Sequence, residues 1–110
     1  MYKYLLRPGF VSNKLLIQIF SGVEKENFFS DFLNTIAELK PKIVDIHDLW
    51  MNDEILFEID SEKGIFTFSK DICDLAFIMA ENNQECILQI NSILESSEIF
   101  KKINPDFDKY

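Results

Sequence analysis

The sequence is poor in the residues that most site chemistry needs. One His, two Cys and three Gly among 110 residues leave little for a metal centre, a redox pair or a phosphate-cradling loop. Cys73 and Cys86 are far apart and have no second pair, so two buried, reduced thiols are expected. Long apolar runs are missing too. The longest mostly apolar stretch, Leu75 to Ala80, falls far short of the ~20 residues of a membrane helix. Leu5-Leu6 runs directly into Arg7-Pro8, whereas an export signal needs about 7 to 15 apolar residues. The expectation is a cytoplasmic protein without a membrane segment. Basic residues are the last shortage: eleven Lys and Arg face nineteen Asp and Glu, a formal net charge of −8. Direct nucleic-acid binding requires clustered Lys and Arg and is not expected.

What the chain does have is material for a core. Hydrophobic residues make up 47% and include eleven Phe, which excludes a disordered tail. Two independent cores would leave each half too small to be stable without disulfides or metal, so residues 1–110 read as one domain.

The pattern along the chain alternates first. Residues 2–6 and 14–20 read as strands, punctuated by Pro8-Gly9 and Ser12-Asn13. Ser21-Gly-Val-Glu24 has the spacing of a capping box, and Phe29, Phe32, Leu33, Ile36 and Leu39 form a helical stripe that Pro41 must end. A helix is predicted over 22–40. Ile43, Val44 and Ile46 suggest a short strand, followed by a polar stretch from His47 to Asp53. Residues 54–60 and 65–70 form a predicted hairpin through the loop Ser61-Glu62-Lys63-Gly64. That register places Asp60 opposite Ile65, Ile59 opposite Phe66 and Phe57 opposite Phe68, and turns Glu54, Leu56, Glu58 and Asp60 to the other face. Residues 74–80 fit a buried strand, although Ile72, Leu75, Ala76 and Met79 also match helical spacing. The cap Asn82-Asn-Gln-Glu85 decides for strand, because a new helix from 83 requires something to end before it. Ile87, Ile90, Ile93 and Leu94 give that helix its stripe and Ser96-Ser97 closes it. A turn is expected over 98–103 and a tail or edge strand over 105–110. The order β-β-α-β-β-β-β-α defines an α+β fold, an antiparallel sheet of about five to six strands with two amphipathic helices on one face.

Two constellations invite a catalytic reading. Asp45-Ile-His47-Asp48 resembles part of a metal or acid–base site, but His47 is the sole histidine and such a site needs further ligands. Glu58 and Asp60, about 7 Å apart along a strand, match the separation of an inverting carboxylate pair. An open sheet face offers no burial to raise a carboxylate pKa. Nucleophile, base and oxyanion donors cannot be assigned together, so the chain is read as a non-enzyme without catalytic residues, metal or cofactor.

Charge is segregated. Residues 1–20 hold Lys3, Arg7 and Lys14 and no acid, whereas 43–62 hold seven carboxylates and no Lys or Arg. Residues 71–100 are acidic as well. A one-sided field steers a positive partner, and an acidic surface also serves solubility alone. Trp50, within the first acidic block, is a candidate anchor, since Trp is enriched at binding hot spots, although a lone Trp more often belongs to the core. The partner-binding residues predicted on this basis are Asp45, Asp48, Trp50, Asp53, Glu54, Glu58, Asp60 and Glu62.

The segment Ala76-Phe-Ile-Met-Ala-Glu-Asn-Asn-Gln-Glu-Cys-Ile-Leu-Gln-Ile-Asn-Ser-Ile-Leu94, following the Glu54 to Phe68 hairpin, resembles small acidic bacterial immunity proteins. These are the cytoplasmic antidotes of polymorphic and contact-dependent growth-inhibition toxins. The resemblance spans roughly residues 42–103 and rests on the strand, the Asn-capped helix and the acidic, Phe- and Ile-rich style. It implies a protein that binds a cognate toxin domain, a basic nuclease-type one, and covers its active site. Two other readings stand beside it: a regulatory or scaffold domain self-associating at its sheet edge, with Leu56 and Ile65 as an apolar patch, and a nucleic-acid mimic.

Overall fold

In the computed structural model, which describes residues 2–8, 14–49, 54–71, 75–80 and 83–103, β1 (Tyr2–Pro8) and β2 (Leu15–Ser21) pair antiparallel. Alternation buries Tyr2 and Tyr4 of β1 and Ile17 and Ile19 of β2 on one face. The helix expected from residue 22 starts later: α1 is Phe28–Thr35, followed by a 3₁₀ turn at Ala37–Leu39. Ser21 ends a strand, and Gly22 turns the chain at φ +92°, where a Cβ would run into the Tyr2 ring. The following peptides are spent on turns, with Lys25 N–H on the Gly22 carbonyl and Phe28 N–H on that of Lys25. The Ser-x-x-Glu spacing is therefore part of a turn, and α1 begins without a side-chain cap. Lys40 closes the 3₁₀ turn in the left-handed region at φ 52° before Pro41, as the sequence requires.

β3 (Lys42–Leu49) is longer than expected and includes His47 and Asp48. β4 (Glu54–Ser61) and β5 (Gly64–Asp71) pair in the predicted register, closed by Glu62-Lys63. β6 (Ala76–Met79) confirms the strand reading of that segment. α2 (Gln84–Ser96) buries Ile87, Ile90 and Leu94. Its N-cap residue, Asn83, makes no capping bond. The side chain is donated instead to the Ile65 carbonyl at 3.0 Å, over Gly64 at φ +104°. Asn82 lies outside the described residues.

β7 (Phe100–Lys102) replaces the expected turn and runs parallel to β1, making the sheet mixed rather than antiparallel. Among the described residues seven strands lie in the order β3-β4-β5-β6-β2-β1-β7, with both helices packed on the face that carries the core. The class is α+β, with one or two strands more than expected. Phe29 stacks on Phe57 at 4.7 Å and Phe32 sits 5.4 Å from Phe68. This places α1 above β4 and β5 and leaves the outer part of β3 uncovered: Val44 and Ile46 are exposed. Cys86 is buried and its Sγ lies 3.7 Å from Ser61 Oγ; burial pushes this thiol up from its ordinary pKa. Cys73 lies outside the described residues. Among them, no helix is long and apolar enough to cross a membrane.

Candidate functional site

The outer face of the β3–β4 pair is shaped by a bulge. Lys42 pairs with Asp60 and Ile43 with Ile59, then the register shifts so that Asp45 meets Glu58, Ile46 meets Phe57 and His47 meets Leu56. An extra residue in one strand moves every later side chain to the other face. Without the shift Asp45 would lie on the helix side and Ile46 on the open side. The bulge thus sets Asp45 and His47 on the open face with Glu58.

His47 joins the two carboxylates: its Nε2 lies 3.2 Å from Asp45 Oδ2 and 4.0 Å from Glu58 Oε1. The other Asp45 oxygen accepts the Ile46 N–H at 2.9 Å. These three side chains put ligand-type atoms within 4.8 Å of one another. They are about half exposed, and among the described residues no fourth such group joins them, whereas a structural zinc site is four-coordinate. An exposed polar cluster accounts for the geometry.

The predicted partner-binding residues divide into groups. Asp45, Glu54, Glu58 and Asp60 share the open face, as their pairing with Glu58, Asp71, Thr67 and Ile65 requires. Glu54 also accepts the hydroxyl of buried Ser69. Asp48 pairs with Ile55 and therefore turns to the helix side. The bulge causes this, and Asp48 stays exposed. Glu62 sits in the β4–β5 turn and is held by Lys40 at 3.3 Å. Trp50 and Asp53 lie outside the described residues. Asp71, from the second acidic block, joins the first by pairing with Glu54. Glu95 of that block is bound by Lys102 at 2.8 Å instead.

Pairing also introduces features the linear charge count hides. Lys42 stands opposite Asp60, which tempers the field of the block. Apolar side chains share the open face with Gln18, Thr67 and Ser69: Leu5, Leu16, Phe77 and Met79 are partly buried there and Phe20 is 37% exposed. Arg7 lies toward the far side, with Nε on Gln18 Oε1 at 2.8 Å. The face therefore grades from basic at β1, through apolar at β2 and β6, to acidic at β3 and β4. The signal was present in Leu15-Leu-Ile-Gln-Ile-Phe20, where both faces of a strand are apolar. Leu56 and Ile65 do not form one patch, since Glu58 and Thr67 lie between them in the ladder.

No family model, curated protein or solved structure matches this chain.

Proposed function

We propose that the protein is a non-catalytic inhibitor of the immunity-protein type, which binds a basic partner through the open face of its sheet. The observation that supports this most is the convergence of Asp45, Glu54, Glu58 and Asp60 on one exposed surface beside an apolar field. Carboxylates steer a positive partner and fix its register, while partly exposed aliphatic and aromatic side chains supply the apolar contact of an interface. A toxin that acts on nucleic acid must present Lys and Arg to phosphate. A rigid carboxylate array occupies that ground and withholds it from substrate. The cytoplasm is the compartment this role requires.

The test is a low-salt pull-down from the source's lysate with the wild type and with a Glu58→Lys/Asp60→Lys variant, followed by calorimetry on the recovered protein. One basic protein in equal stoichiometry, bound at least ~10-fold more weakly by the variant, supports the reading. Equal affinity for both forms removes the hairpin face from the interface, and recovery of no basic protein overturns the function.

A further inference from the structure

We infer that the protein forms a two-fold dimer through β3, with Ile46 on the symmetry axis. This does not rest on the inhibitor reading, because the open-face carboxylates of β4 stay accessible in it.

Among the described residues β3 has one neighbour, β4, at the end of the seven-strand order. It is eight residues long, holds no Pro, and carries its one Lys at its first position. Native sheets blunt their edges with short strands, Pro or central Lys, and here the opposite edge, β7, is three residues long. Besides the bulge near Val44, β3 carries the charged Asp45 and Asp48, which also blunt an edge; the aliphatic side chains between them are open. Ile43 is 37%, Val44 49%, Ile46 56% and the neighbouring Ile55 39% exposed. The Ile46 amide is satisfied by its own neighbour, Asp45 Oδ1, a local substitute for an adjoining strand.

The side chains select the occupant and the register. An isologous antiparallel pair places one residue opposite its own copy. Centred on Asp45 it would oppose two carboxylates, and centred on His47 two imidazoles. Centred on Ile46, it sets Asp45 of each copy opposite His47 of the other on the open face, and Ile46 against Ile46 on the helix side. Each Ile46 amide then gains a backbone partner and each Asp45 carboxylate is released to the imidazole facing it. The exposed Ile46 side chains cover each other, Val44 of each copy comes opposite Asp48 of the other, and the edge disappears into a continuous sheet.

Sedimentation of the full chain up to about 1 mM should show reversible growth to twice the monomer mass. Ile46→Lys and, separately, His47→Asp should each weaken association at least ~10-fold with unchanged circular dichroism. The register has its own test. His47→Asp and Asp45→Lys/His47→Lys should each remain monomeric alone, and should form a mixed dimer when combined, because carboxylates then face ammonium groups at both pairs. A wild type that stays monomeric overturns the proposal. So does a dimer indifferent to Ile46→Lys, and failure of the mixture to associate overturns the Ile46-centred register.

Discussion

Tyr2 ties three separate parts of the chain. Its ring packs edge-on against Phe28 at 5.2 Å and tilted against Phe100 at 5.0 Å, Gly22 passes beneath it, and its hydroxyl donates to Asp31 Oδ2 at 2.6 Å. Burial first, and the Asp31 carboxylate second, push its pKa up to about 12. Burial does the same to Tyr4, also to about 12, with help from Glu95. In the unfolded chain a phenol ionises near pH ~10. A folded value above the unfolded one means that the native state holds the proton more tightly. The stability this contributes is complete below about pH 10 and is lost as pH rises from there through about 12. Phenolate absorbance should therefore appear together with loss of circular dichroism in that window. Tyr110 is the third phenol; in a Tyr110→Phe variant, two phenols that titrate near pH ~10 in a still-folded protein would show that neither Tyr2 nor Tyr4 is buried as described.

The helix α1 rests on a sheet of Phe side chains. Phe32, wholly buried, contacts Phe68 and Phe100. Removal of its ring by Phe32→Ala should cost about 3 to 5 kcal/mol in urea unfolding, and a loss below ~1 kcal/mol would mean the stripe does not face the core. The stripe was legible in the sequence because its period belongs to the helix itself. The start of the helix was not legible. Ser21-x-x-Glu24 reads as a cap unless the Tyr2 ring, twenty positions earlier, is known to lie over Gly22. The β4–β5 register was readable because Ile59 and Phe57 fall in phase with Phe66 and Phe68 across a short turn. β7 was not, since three residues give no period and its partner is β1, at the other end of the chain. The candidate surface was half legible for the same reason. Glu54, Glu58 and Asp60 alternate along one strand, but Asp45 joins them and Asp48 leaves them through a one-residue bulge that only pairing reveals.

The molecule as a whole carries a net charge of −8, and much of it is gathered at one margin of the sheet. Salt should therefore act on its three equilibria with different signs. Folding gathers like charges, so raising NaCl from about 10 to 150 mM, which shortens the screening length from about 30 to 8 Å, should raise the urea midpoint of the free protein. Pairing through β3 brings two such margins together with more carboxylate than imidazole, and should tighten over the same range. Association with a basic partner should do the reverse: the on-rate in stopped flow should fall with salt while the dissociation rate changes little. Each arm tests a separate claim. A partner on-rate indifferent to salt would remove electrostatic steering and leave the apolar part of the face as the source of affinity. A dimer that dissociates on adding salt would mean that the two Asp45–His47 contacts outweigh the repulsion between the margins.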